Sequence, residues 1–224
     1  MLKAVIFDSG GVLHPSPDKY LARDISKTFQ ISEDQFHQTC HKLIPLLQVG
    51  KITEEVFWKK FILDTGSICP IPRQSPWKKE YLVRFKKNQD VLTLAQSLKD
   101  CGYKIAVLSN AIGAHAEINK KKGLYDVFHY VMLSNEVGLR KPDSKMFRLA
   151  LKKLQTKARE SLFIDNQLNN IKAAQKIGFK TILFTGGRQL KIELKKLGIF
   201  SRKSSTRACR FLSLEKIISN YFKH

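Results

Sequence analysis

From residue 89 to residue 197 the sequence repeats one rhythm. A helix-length stretch leads into four or five apolar, partly β-branched residues, and another helix-length stretch follows. The expected series is helix 89–100, strand 104–108, helix 114–122, strand 129–133, helix 143–154, strand 161–164, helix 168–177, strand 180–184 and helix 187–197. Short apolar strands alternating with helices of about ten residues are the pattern of βαβ units. Their crossovers make the strands parallel and put helices on the sheet faces. One more strand, Lys3–Phe7, stands alone near the start. The fold class is therefore α/β, a Rossmann-like parallel sheet flanked by helices, with something inserted after its first strand.

The insert reads as helical. Helices are expected at 18–29, 32–47, 53–63 and 76–87. Ser32-Glu33-Asp34-Gln35 has the S-x-x-Q form of a capping box, and Thr53 is a second N-cap. Pro70, Pro72 and Pro76 mark Gly66–Pro76 as a loop. The expected division is an α/β core made of residues 1–14 and 88–224, and a small helical domain at 15–87. Within the core, 201–210 is a basic loop, and 211–224 is a closing segment with a short helix from Ser213 to Tyr221.

Composition narrows the function classes. Apolar residues make up 43% of the 224, enough for a packed core, so global disorder is excluded. No apolar run nears the ~20 residues that span a bilayer. Ala4–Phe7 is too short for a secretory leader and ends at Asp8. Cys40, Cys69, Cys101 and Cys209 form no C-x-x-C, which argues against a disulfide scaffold and a cysteine zinc site. A cytoplasmic location is the expectation. Forty basic residues against nineteen acidic ones give a net charge of +21. The excess is spread along the chain, so weak, non-specific polyanion binding is expected rather than a dedicated nucleic-acid arm.

In an open parallel sheet, functional groups gather at the carboxyl ends of the strands. Strand one ends in Asp8 and the second in Ser109-Asn110. The third leads to Arg140-Lys141-Pro142-Asp143, and the fourth ends in Asp165-Asn166. Two carboxylates, a hydroxyl, a lysine and amides on one edge suit phosphoryl transfer. A carboxylate can attack phosphorus and divide one hard step into two. A divalent cation can cancel repulsion between the anions, and a lysine supplies fixed positive charge where negative charge collects.

The segments Ile6-Phe7-Asp8-Ser9-Gly10-Gly11-Val12-Leu13, Leu108-Ser109-Asn110, Gly138-Leu139-Arg140-Lys141-Pro142-Asp143 and Phe163-Ile164-Asp165-Asn166 resemble the four ordered motifs of the haloacid dehalogenase-like hydrolase superfamily. The resemblance runs from residue 3 to about 198. The helical insert stands where subfamily I members carry a C1-type cap. It implies a Mg²⁺-dependent phosphatase acting on a small phosphorylated substrate through an aspartyl-phosphate. By that resemblance Asp8 is nucleophile and metal ligand, and the Gly10 carbonyl oxygen is a second ligand. Ser109, with Asn110, holds the phosphoryl group, and Lys141 stabilises Asp8 and the transferred group. Asp165 and Asn166 complete the metal site.

Two positions depart from the family pattern. Gly10 stands where the family usually has an acid/base Asp, a group whose loss typically costs 10²–10⁴ in rate. Asn166 stands where related members have a second Asp, so the metal site lacks one negative charge. These departures keep three alternatives open: a catalytically weakened binding or regulatory protein, a metal-independent dehalogenase-like hydrolase, and a polyanion-binding protein. Asn170 is expected to tie down its loop, and His14 to lie near the cap hinge. Trp58 and Trp77 are expected in the cap core in preference to stacking on a ligand, and Lys120-Lys121-Lys122 at a solvated helix end. His37 and His41 share a helix face without a metal-binding context.

Overall fold

The computed structural model describes residues 1–16 and 18–199. The expected basic loop and closing helix lie outside the described residues. Five strands form one sheet: β1 (Ala4–Phe7), β2 (Lys104–Ser109), β3 (Tyr130–Leu133), β4 (Ser161–Asp165) and β5 (Lys180–Leu183). Its order is β3-β2-β1-β4-β5, and every pairing is parallel. β1 lies in the middle, with Phe7 level with Val107 of β2 on one side and Ile164 of β4 on the other.

The strands alternate sides as the pleat requires. Val5 and Phe7 face one layer of the core with Ile105, Val107, Leu162 and Ile164. Helices α5 (Gln89–Asp100) and α10 (Gly187–Lys196) cover that layer through Val91, Leu94, Leu98, Leu190 and Leu194. Ala4 and Ile6 face the other layer with Ala106, Leu108 and Phe163. There α8 (Ser144–Leu154) and α9 (Leu168–Ile177) pack through Met146, Phe147, Ala150, Ile171 and Ala174. The expected strand 129–133 begins at Tyr130. A helix of one turn, α7 (Ser134–Val137), follows it without a warning in the sequence, and α6 (Gly113–Lys121) bridges β2 and β3.

The insert is α1 (Asp18–Phe29), α2 (Glu33–Gln48), α3 (Glu54–Thr65) and α4 (Pro76–Arg84). Ser32 and Gln35 close the expected capping box, and the Thr53 hydroxyl accepts from the Val56 amide. α4 stops three residues short of the expected end, at Arg84. The cap core is a cluster of aromatic rings. Phe29 stacks on Trp58 at 5.1 Å, and Trp77 lies 5.2 Å from Trp58. Each such side chain contributes roughly 1.5–3 kcal/mol by leaving water. Ile112 and Ala114 of the α6 start join this cluster, so the cap rests on the core beside the end of β2. Among the described residues no helix is long and apolar enough to cross a membrane. Cys40 and Cys69 are free thiols.

Candidate active site

The chain runs from β1 outward through β2 and β3, then crosses back to β4 and β5. The crevice this leaves lies at the carboxyl end of β1. Asp8 sits in that crevice. Its amide continues the ladder by donating to the Ile164 carbonyl at 2.8 Å. The next turn is tight, because the amides of Val12, Leu13 and His14 all point to the Ser9 carbonyl oxygen. Gly11 takes φ +81°, and a Cβ there would stand 2.3 Å from Asn166 Nδ2. Both the backbone angle and the Asn166 side chain therefore require glycine at 11. Position 10 is different: a Cβ would meet only His14 Cε1, at 3.9 Å.

Lys141 is the centre of the charge arrangement. It is 1% exposed, and its Nζ donates to Asp8 Oδ1 at 2.6 Å and to Asp165 Oδ2 at 2.7 Å. Burial alone would push the ammonium pKa down. The charges of Asp8 and Asp165, with the two hydrogen bonds, outweigh burial and hold it above its ordinary value. For Asp8, burial raises the carboxyl pKa to about 6; Lys141 opposes this and Asp165 adds to it. The loop bearing Lys141 is fastened by Asn110, which accepts from the Lys141 amide at 2.7 Å and donates to its carbonyl at 2.8 Å.

The other expected site residues separate into two groups. Ser109 and Asn166 line the same cavity as Asp8, Gly10 and Lys141, a space of about 320 Å³. Asp165 does not line it. This carboxylate is wholly buried, and its oxygens accept from Lys141 Nζ, Asn170 Nδ2 and the Gln167 amide. Asn170 thus ties Asp165 in place. Asn110 lines the cavity, but its amide group is spent on the Lys141 backbone.

The donor chemistry fits a small hard cation. Among the described residues no group of three or more His, Cys, Asp and Glu side chains is placed for a metal, so carbonyl and amide oxygens must contribute. Asn166 Oδ1 is buried and has no hydrogen-bond partner, an oxygen left over for such a role. Mg²⁺ takes oxygen ligands, keeps several waters and needs few protein groups.

The cavity roof was not legible in the sequence. Trp77 of α4 and His115 and Asn119 of α6 line it, and Tyr81 of α4 is buried against the last two. The Tyr81 hydroxyl donates to Asn119 Oδ1 at 2.7 Å and lies 3.2 Å from His14 Nε2. Asn119 Nδ2 donates to the Tyr125 hydroxyl, which lies 3.2 Å from Ser9 Oγ. This polar chain links the cap hinge to the residue next to Asp8. His115 stacks on Tyr81 at 4.0 Å, and burial lowers its pKa to about 3, so it is neutral at pH 7. No spacing in the sequence singles these residues out, because they lie on helix faces that read as ordinary packing.

The family described as haloacid dehalogenase-like hydrolase matches residues 22–184. The chain belongs to the haloacid dehalogenase-like hydrolases. That match begins beyond β1, so the place of Asp8 in the family rests on its own motif and geometry. The sesquiterpene phosphatase astK of Aspergillus oryzae is 27% identical over 87% of this chain and 96% of its own length. The glyceraldehyde 3-phosphate phosphatase of Methanopyrus kandleri is 26% identical, over only 48% of this chain and 47% of that protein. A family enzyme from Bacteroides thetaiotaomicron, solved with magnesium and inorganic phosphate, superposes with a TM-score of 0.69 at 22% identity, over 81% of this chain and 93% of that one. Within this family the parallel core and the inserted helical cap are expected architecture, and the buried Asp8–Lys141–Asp165 cluster lies between the two.

Proposed function

We propose that this haloacid dehalogenase-like hydrolase is a Mg²⁺-dependent phosphatase that forms a covalent phosphate on Asp8. The observation that carries the reading is the buried lysine that joins Asp8, at the cavity floor, to Asp165 behind it. A fixed ammonium there keeps Asp8 aimed and offsets the charge that builds on the phosphoryl group.

The Asp8 carboxylate attacks phosphorus, the bond from phosphorus to the ester oxygen breaks, and the leaving alkoxide takes a proton from solvent water. Water then attacks the acyl-phosphate, which releases inorganic phosphate and restores Asp8. Ser109 donates to a phosphoryl oxygen. Asp8, the Gly10 carbonyl and Asn166 Oδ1 would hold the metal, which when bound draws the two anions together. Asp165 is assigned the positioning of Lys141 instead of metal ligation, because its oxygens are already occupied. Asn110 likewise acts by fixing the Lys141 loop instead of by touching phosphate. Gly10 supplies no proton, and His14 is the side chain that stands closest to that place. Slower turnover than in a carboxylate-bearing relative follows.

Residues 15–87 are read as the family's C1-type cap on a core of 1–14 and 88–224. Leu21, Ile44 and Trp77 of the cap line the cavity, so closure excludes water from Asp8 until the ester has reacted. The test is release of phosphate from monoesters with and without Mg²⁺, with Asp8→Asn as blank. Equal rates for the variant and the unaltered protein would sink the mechanism.

A further inference from the structure

The two phosphatases named above differ greatly in leaving group by name alone, one sesquiterpene and one triose. The cap geometry distinguishes between such classes. Beside the 320 Å³ cavity lies a second, wider space of about 560 Å³ in the cap. Leu21, Ile44, Gln48 and Trp77 bound both, so the second space continues the first. Each is of the size that ligand pockets occupy, ~300–1,000 Å³.

The walls of the second space are apolar. Leu21 of α1, Phe36, Cys40, Ile44 and Pro45 of α2, and Trp77 of α4 form it. Among the described residues no acidic one lines it, and the one permanent charge is Arg140. That guanidinium donates to Gln48 Oε1 at 3.2 Å, and burial lowers its pKa. His37 and His41 stand exposed at the rim. Trp77 bounds both spaces and marks the junction between them. His115 is neutral and brings no charge to the passage.

We infer that the leaving alcohol is a long, uncharged, largely apolar one, and that its tail occupies the α1–α2–α4 groove while the phosphate sits against Asp8 and Lys141. The inference rests on the phosphatase reading above and adds the substrate class. A sugar or triose phosphate would leave the groove wetted and its apolar walls unused. A hydrocarbon tail would cover them, at ~0.8 kcal/mol for each methylene that leaves water, which is about fourfold in affinity for a fully buried one.

The experiment is a series of ethyl, butyl, octyl and dodecyl phosphates with Mg²⁺, below micelle formation, alongside glycerol phosphate and glucose phosphate. The expected result is a rise in kcat/KM of at least tenfold from butyl to octyl phosphate, with the polyol phosphates near the ethyl ester. In Ile44→Asp, which places a charge at the junction, the octyl-to-ethyl ratio should fall at least fivefold. If that variant does not fold, the chain-length series of the unaltered protein decides. Equal kcat/KM along the series, or a preference for the polyol phosphates, overturns the groove assignment and leaves the phosphatase reading standing. Hydrolysis of none of the esters overturns both.

Discussion

Replacing Lys141 by Met keeps an unbranched stem of similar length and removes one buried charge. The consequence follows from the two carboxylates left behind. Lys141 Nζ is 2.6 Å from Asp8 and 2.7 Å from Asp165, and the three side chains are nearly or wholly buried. Breaking a buried pair in this way typically costs ~3–5 kcal/mol, since a charge stays buried without its partner. For a chain of this length that is a fall in Tm of about 10 °C. The loss should depend on pH with a definite sign. The Asp8 carboxyl already stands at about 6 with Lys141 present, so it costs stability above that pH and the cost is relieved as pH falls. Without the ammonium the carboxyl pKa rises further, and the group takes up its proton earlier. The variant therefore regains more stability than the parent between pH 7 and pH 5, by about 1 kcal/mol, since a tenfold change in proton affinity is worth about 1.4 kcal/mol. Lys141 itself is charged throughout this window, because its pKa is raised from an ordinary value far above it. Denaturant unfolding of both proteins at the two pH values is the assay. A difference under ~1 kcal/mol at pH 7, or a larger one at pH 5, would refute the reasoning. Activity should fall by roughly 10²–10³, the usual result of losing one preorganised charge-stabilising group.

Asn166→Asp should tighten Mg²⁺ binding in a calorimetric titration, since a charged oxygen replaces a neutral one; equal affinities would place residue 166 outside the metal's ligands. Gly10→Asp should fold normally, as a Cβ there meets only His14 Cε1 at 3.9 Å, and should speed alkyl esters more than aryl esters, which need a proton donor least. An unchanged alkyl-to-aryl ratio would count against an acid role at that position. Duplex DNA should bind weakly through the net charge of +21, with affinity that falls steeply as salt rises; a salt-resistant, sequence-specific complex would contradict the diffuse-charge reading.

The parallel sheet was legible because apolar strands and amphipathic helices alternate at lengths that admit few topologies. What the sequence hid is instructive at α7 and at the end of α4. Ser134–Val137 is a single turn, too short for any periodicity to register. At the other place, Arg84 is held by Glu80 and Asp24, and the chain then turns so that Asn88 can donate to the Leu13 and Val12 carbonyls. That tertiary anchor ends the helix before the sequence does. Trp58 and Trp77 were expected in the cap core in preference to a ligand-facing place, and Trp77 has both, since a residue packed on one side and facing a cavity on the other looks the same in a sequence as one packed on both.

The fourth motif illustrates the limit most sharply. Asp165 and Asn166 are adjacent, and at the end of a strand adjacent side chains point to opposite sides. A pattern of residue types leaves open which of the two faces the cavity. Asp165, the charged one, is turned inward and held by Lys141, Asn170 and the Gln167 amide. Asn166, the neutral one, faces the cavity over Gly11 with an unused oxygen. The Asp165 carboxylate is thus spent on holding the lysine, and under the proposed mechanism the metal would meet a ligand set whose one carboxylate is Asp8. In such a site proton and metal compete for the same group. Mg²⁺ affinity should therefore weaken about tenfold for each pH unit below 6, the range in which Asp8 holds its proton. A metal titration between pH 5 and pH 7 that showed no such slope would place the charge that holds the metal elsewhere than on Asp8.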